Sequence, residues 1–122
     1  MKTLFYSLFI LLVSSSLTAQ VVNSASCISK SSLLSGKENG KIEITLPESV
    51  VKENVEEYGK YYIKMFTIGF DEKSHVATFN MVTNDENSRR VIMRFLSANQ
   101  IQSVVVENIV FTLADFYENF LK

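Results

Sequence analysis

Hydrophobic and polar residues alternate most regularly in the stretch Tyr61–Val82. In its first half, three apolar residues are separated by polar or small ones: Phe66, Ile68 and Phe70. After the polar turn 71–74 the same period returns, with three more apolar positions: Ala77, Phe79 and Met81. A period of two residues is typical of a strand with one buried face. The pattern therefore predicts a β-hairpin in which Phe70 lies opposite His75 and the apolar residues of both strands share one face.

Two further elements are predicted ahead of this hairpin. Lys41–Leu46 alternates apolar and polar positions and is predicted to be the first strand. Pro47 ends this strand, because proline has no main-chain N–H to donate to a neighbouring strand. Ser49 is then suited to cap a helix that runs to about Met65. The apolar residues of this helix recur at the spacing of one helical face: Val51, Val55, Tyr58 and Tyr62.

The residues after the hairpin predict a second helix, a fourth strand and a short C-terminal helix. Asn84 or Asp85 is a good N-cap for the second helix, and acidic residues in its first turn suit the helix dipole. The β-branched run Ser103–Phe111 predicts the fourth strand, with a bend near Glu107-Asn108. Thr112–Asp115 resembles a capping box and is expected to open the C-terminal helix.

This order of elements defines the expected fold class and domain organisation. Strand, helix, strand, strand, helix, strand over residues 41–122 predicts an α+β domain, a ferredoxin-like βαββαβ sandwich with a short C-terminal helix. Residues 20–40 are rich in Ser, Asn, Lys and Gly, which favours a flexible lead-in. A short strand around Cys27–Lys30 is the alternative for part of that segment.

The first nineteen residues have the composition of a secretory signal peptide. Lys2 supplies a positive charge, Leu4–Val13 is apolar apart from Ser7, and small or polar residues lead to a cleavage site after Ala19. An uncleaved membrane anchor is the alternative, but the apolar run is shorter than the roughly 20 residues that span a bilayer. We therefore expect an exported protein, periplasmic or extracellular, with no transmembrane segment in the mature chain.

Charge and cysteine content exclude several classes of protein. The chain has 12 Lys and Arg against 13 Asp and Glu. This near balance of charge argues against a protein that binds nucleic acids or anionic membranes. Cys27 is the single cysteine, so an intramolecular disulfide is impossible. A lipid on Cys27 is disfavoured, because the preceding Ser24-Ala25-Ser26 lacks the usual aliphatic residue. A free thiol, or one paired between molecules, is the simpler interpretation.

Few residues are available for catalysis. His75, beside Asp71 and Glu72, has the chemistry of a base or metal ligand, but a histidine that ends a strand at the sheet margin is the interpretation we favour. Nothing in the sequence places Cys27 near His75, so a Cys–His nucleophile is not expected. The chain also lacks a nucleophile-elbow motif and a glycine-rich phosphate loop. Glu53, Glu56 and Glu57 are expected to be a solvated helix face. The sequence therefore predicts a protein that is not an enzyme and has no cofactor.

The C-terminal end carries a candidate surface for protein partners. Four aromatic residues there exceed what one short helix hides by itself: Phe111, Phe116, Tyr117 and Phe120. Packing of these residues across the domain is the interpretation we favour, and an interaction surface is the alternative. On the second helix, Arg89, Arg90 and Arg94 are expected to face water, with binding of an anionic partner as the alternative.

From Ile42 to Glu107 the pattern resembles the small heavy-metal-associated domains of metallochaperones and metal pumps. The nearest stretch is FTIGFDEKSHVATFNMVTNDENSRRVIMRFLSANQ. This resemblance implies a ferredoxin-like fold. In that family two cysteines with CxxC spacing, in the loop after the first strand, bind the metal. The corresponding loop here, Leu46–Val51, contains no cysteine, so the fold carries over and the metal ligands do not.

Two hypotheses of function follow from the sequence. The first is an exported, non-enzymatic binding or protein-interaction module, whose partner is an unknown protein or a second copy in a homodimer. The alternative is a degenerate metal-handling domain, in which binding of copper or zinc depends on Cys27 or His75.

Overall fold

The computed structural model describes residues 23–122, which contain six strands and four α-helices. The strands are β1 (Ser24–Cys27), β2 (Lys41–Thr45), β3 (Phe66–Asp71), β4 (Val76–Met81), β5 (Ser103–Val106) and β6 (Ile109–Thr112). The helices are α1 (Lys30–Asn39), α2 (Lys52–Gly59), α3 (Glu86–Ala98) and α4 (Leu113–Phe116). A 3₁₀ turn, Lys60–Tyr62, follows α2, and a π turn, Tyr117–Leu121, follows α4. The predicted signal peptide lies outside the described residues.

The strands form one sheet in the order β3-β4-β2-β1-β5-β6. Neighbouring strands are antiparallel except β1 and β5, which are parallel. Parallel strands need a long crossover, and here the whole chain between Cys27 and Ser103 supplies it. The predicted α+β class is confirmed.

The helices cover one face of the sheet. Side chains on that face are fully buried in every strand except β6, and they include Ala25, Ile42, Phe79 and Val104. In β2, Ile42 and Ile44 alternate with exposed or half-buried residues, as expected of a strand with one buried face. The opposite face of the sheet has no helix over it among residues 23–122, and it is called the open face below.

The predicted hairpin is confirmed as β3 and β4, but its predicted register is wrong by two residues. Phe70 pairs with Ala77 and Ile68 pairs with Phe79, so His75 has no partner on β3. His75 ends a four-residue turn with a φ of 59°, and Asp71 accepts a bond from the Lys73 main-chain N–H at the start of that turn. Four-residue loops of this kind are common in hairpins. A shift of two residues leaves the apolar residues on the same face, which is why the core was predicted correctly.

The predicted flexible lead-in at 20–40 is wrong for the residues that the structure describes. Ser24–Cys27 is a strand in the middle of the sheet, and Lys30–Asn39 is a helix capped by Ser29. Polar composition did not prevent either element. β1 carries a single fully buried side chain, Ala25, and owes its place to pairing with strands on both sides. The alternative of a short strand near Cys27 was closer to the structure, although the strand begins earlier.

Two predicted boundaries also need correction. The first helix is shorter than Ser49–Met65, because it begins at Lys52 and tightens into the 3₁₀ turn after Gly59. The predicted fourth strand, Ser103–Phe111, is two strands joined by a tight turn at Glu107 and Asn108, whose φ values are 50° and 67°. Positive φ at both central residues is the signature of a two-residue hairpin turn, and asparagine is the only one of the two that favours it.

Candidate interaction surface

One row of side chains crosses the open face on all six strands. Strand register places these residues side by side, in the order Asp71, Val76, Thr45, Ser26, Val105 and Val110. Val110 is 65% exposed, and the other members are exposed or half-buried. The row therefore consists of the carboxylate Asp71 followed by small, hydroxyl-bearing and β-branched side chains that are at least partly accessible to a partner.

A concavity lies beside this row, over the strands β2, β3 and β4. Its volume is about 480 Å³, and its lining includes Glu43, Gly69, Asp71 and Thr78. Gly69 has no side chain, and a Cβ placed there would meet no atom within 4 Å. The glycine is thus not required for close packing inside the protein. Glycine in a strand interior often marks a place that another molecule approaches.

The concavity is acidic. Glu43 and Asp71 both contribute to its lining and both are exposed. Neither carboxylate takes part in an ion pair within the part of the chain that the structure describes. A cationic side chain of a partner would find both carboxylates available, with the apolar Val76 beside them.

The structure does not leave the candidate aromatic surface available to a partner. Phe116 is fully buried, Tyr117 and Phe120 are almost so, and Phe111 is half-buried against the core. Phe120 contacts both Phe111 and Phe116, with ring centroids 5.1 and 5.5 Å apart. The π turn that carries these rings packs against α1 and α3. The favoured interpretation, packing across the domain, is what the structure shows.

Arg89 contradicts the prediction that all three arginines face water. It is 7% exposed, and its Nε donates to the main-chain oxygen of Leu121 at 2.6 Å, while Nη1 donates to Asn84 Oδ1 at 2.7 Å. Asn84 in turn donates to the main-chain oxygen of Lys37 at the end of α1. This arginine therefore fastens the C-terminal turn to two helices. Arg90 and Arg94 are exposed as predicted.

Cys27 is a free, half-buried thiol. It lies on the helix-covered face of β1, next to the core. Burial raises the pKa of the Cys27 thiol from 9.0 to about 12, because an apolar environment disfavours the thiolate. The nucleophilic form is therefore scarce at neutral pH.

His75 occupies the sheet margin, as the favoured interpretation had it. Its ring meets the edge of Phe70 with centroids 5.3 Å apart, and its main-chain oxygen accepts from the N–H of Leu46. Strand β2 lies between β1, which carries Cys27, and the turn that carries His75. Among residues 23–122 no three His, Cys, Asp or Glu side chains are grouped so as to hold a metal ion.

The glutamates of α2 lie at the surface. Glu56 is 4.0 Å from Lys52, and Glu57 is 3.9 Å from Lys60, so both are in exposed ion pairs. Pairs of this kind contribute little to stability. The carboxylates that matter for the open face, Glu43 and Asp71, were not singled out as a pair in the sequence. The available signal was Gly69 in the middle of a strand.

No helix within the described residues is both long enough and apolar enough to cross a bilayer. Comparison of the chain with family models, curated proteins and solved structures found no match.

Proposed function

We propose that this protein is an exported, non-enzymatic interaction module that binds a protein partner through the open face of its sheet. The observation that carries the proposal is the acidic concavity at Gly69, which adjoins a row of side chains crossing the whole sheet. The partner surface that fits this face has a lysine or arginine side chain flanked by small apolar side chains. Complementary charge of this kind gives specificity and register to an interface.

We also propose that the fold is an elaborated ferredoxin-like sandwich. The strands β3, β4, β2 and β5 occur in the order and directions of the βαββαβ arrangement, with β1 inserted between β2 and β5. β6 extends the sheet at one edge. In this description α2 and α3 are the two helices of the split βαβ motif. The insertion and the extension widen the open face from four strands to six.

Export remains part of the proposal and rests on the pattern of the first nineteen residues. Mass spectrometry of the chain recovered from the envelope or medium of an expressing cell tests it directly. A mature N-terminus at Gln20 is expected. An N-terminus at Met1 in the membrane fraction would instead identify an uncleaved anchor.

Binding is tested with the chain from Gln20 to Lys122, tagged ahead of Gln20. Partners captured from the cell envelope are identified by quantitative mass spectrometry, and the affinity of the enriched partner is then measured by calorimetry. Glu43→Lys reverses one charge of the concavity and is expected to weaken binding by about tenfold or more. Gly69→Val places a β-branched side chain in the concavity, where a Cβ would meet no atom within 4 Å, and is expected to have the same effect.

Glu38→Lys is the matched control for Glu43→Lys. Glu38 is an exposed glutamate on α1, on the other side of the molecule, and its reversal changes net charge equally. A partner that binds the wild type, Glu43→Lys and Glu38→Lys equally well would contradict the open face as the binding surface. Circular dichroism of each variant establishes that the fold is intact.

A further inference from the structure

The outer edge of β3 is an unprotected strand. β3 lies at the end of the sheet and pairs only with β4 within residues 23–122. Its register with β4 runs without a bulge from Phe66 to Asp71. The strand contains neither proline nor lysine, and its one charged residue is Asp71 at its last position. Proteins usually protect such edges with bulges, prolines or charges, because a bare edge pairs with other strands.

The main-chain groups that face outward on β3 follow from the hydrogen-bond pattern. The N–H of Val82 donates to the oxygen of Met65, so the pair Met65 and Val82 is hydrogen-bonded. Hydrogen-bonded pairs recur at every second residue of an antiparallel ladder. Thr67, Gly69 and Asp71 therefore bond to β4. The three residues in between present their N–H and C=O groups to the free edge: Phe66, Ile68 and Phe70.

The sequence around β3 is complementary to itself when read antiparallel. With Ile68 opposite Ile68 of a second copy, Phe66 lies opposite Phe70, and Thr67 lies opposite Gly69. Beyond the two ends of the strand, the same arrangement brings Lys64, in the turn before β3, toward Glu72, in the turn after it. Both side chains are exposed in the single chain. Opposed pairs of opposite charge stabilise a strand pairing, and like charges destabilise it.

A notch beside the outer edge of β3 leaves space for side chains of a second copy. It has a volume of about 230 Å³ and lies between α2 and β3, with a lining that includes Glu56, Gly59, Ile63 and Ile68. Ile63 is 62% exposed although it is a large apolar residue. Gly59 lies close to the Ile68 side chain, since a Cβ there would be 3.3 Å from Ile68 Cδ1. The absence of a side chain at Gly59 therefore lets α2 lie close to Ile68 at this edge.

We propose that two copies of this chain pair through their β3 edges, antiparallel and centred on Ile68, to form one continuous sheet. The two-fold axis passes through the Ile68 pair, so Lys64 of each copy faces Glu72 of the other. The other free edge, β6, is shorter, and α4 begins directly after Thr112. Pairing through β3 also joins the two open faces side by side. The dimer does not depend on the proposed function, because the acidic concavity of each copy is formed by that copy alone.

The test exploits the two-fold symmetry. Lys64→Glu places a glutamate opposite Glu72, and Glu72→Lys places a lysine opposite Lys64, so each single variant has like charges at both ends. Each is expected to raise the dissociation constant of the dimer about tenfold or more, as measured by sedimentation velocity at low salt. The double variant restores opposite charges and the affinity. The two single variants, mixed in equal amounts, are expected to form a heterodimer.

Lys73→Glu, in the exposed turn, is the matched control and is expected to leave the dimer unchanged. Thermal unfolding of every variant is needed because Glu72 also lies 3.3 Å from Lys52 of its own chain. Amide exchange gives an independent measurement. Protection of the Ile68 and Phe70 amides is expected to rise with protein concentration, while that of Gly69 and Asp71 stays constant.

Two outcomes would overturn the proposal. A wild-type chain that stays monomeric up to about 1 mM has no dimer of useful affinity. A dimer whose affinity is the same in both single variants, with concentration-independent exchange at Ile68, is formed through another surface.

Discussion

Arg89 is expected to be worth more to stability than any other charged residue of α3. Its guanidinium makes two short bonds, of 2.6 Å to the Leu121 oxygen and 2.7 Å to Asn84 Oδ1, in a nearly solvent-free position. Bonds to a charged group contribute about 1.5–3 kcal/mol each, and part of that is offset by the cost of burying the charge. Arg89→Met should therefore cost about 3 kcal/mol of unfolding free energy.

Urea unfolding of the purified chain measures this loss. For a domain of this size, about 3 kcal/mol corresponds to a fall in Tm of roughly 15 °C. Arg94→Met is the matched control: Arg94 is exposed on the same helix, and its replacement should change stability by less than about 0.5 kcal/mol. Arg89→Lys keeps the charge but loses the planar fork, so it should recover only a small part of the loss.

Proteolysis and amide exchange locate the effect. In Arg89→Met the turn Tyr117–Leu121 should exchange faster than β4, because the guanidinium is what bonds the Leu121 oxygen to α3. The reasoning is refuted if Arg89→Met and Arg94→Met have equal stability, or if the C-terminal turn keeps its wild-type protection.

Three further predictions concern single residues. Cys27 should react with a thiol reagent at neutral pH about a thousandfold more slowly than an ordinary cysteine, because burial raises its pKa from 9.0 to about 12. Equal reaction rates in native and urea-unfolded protein would contradict this. Glu107→Ala should destabilise the protein by about 1 kcal/mol, because Glu107 accepts the Lys30 N–H at the start of α1; Glu107→Gly should be less harmful in urea unfolding, because glycine tolerates the positive φ. The bond from the Ser88 N–H lowers the pKa of Asp85 below 3.8, so its stabilising effect is present above that pH and lost as pH falls through the folded pKa. In Asp85→Asn the free energy of unfolding should therefore fall less steeply as the pH is lowered. An unchanged pH dependence would show that the Asp85 carboxylate does not contribute to acid unfolding.

Alternation along the chain predicted the strands whose one face is buried, and their core residues with them. β2, β3 and β4 are of this kind, because an apolar residue at every second position has one favourable arrangement. β1 is different. Its sequence, SASC, alternates serines only with the small residues Ala25 and Cys27, which is a weak signal, and it is held by main-chain bonds to a strand that is distant in the sequence. Patterns of side chains do not report such bonds.

The sequence did not show what covers the aromatic residues of the C-terminal turn. Residues 20–40 were predicted to be a flexible lead-in, which offers no cover for Phe116 and Phe120. The structure supplies α1 as the cover. Arg89 was misplaced for a related reason. Its partners at Leu121 and Lys122 are main-chain oxygens more than thirty residues away, and no residue type in the sequence marks them.

The position of β1 also constrains when the sheet can be completed. Ser24 pairs with Ser103, and their hydroxyls bond across 79 residues of chain, so the first described strand takes its place only after β5 exists. β2, β3 and β4 can assemble earlier from nearer segments, and contacts between distant segments slow folding. A ribosome or an export channel that still holds the C-terminal residues thus holds back the closure of the sheet. Under the export proposed above, this delay leaves the polypeptide without a closed sheet while it crosses a membrane.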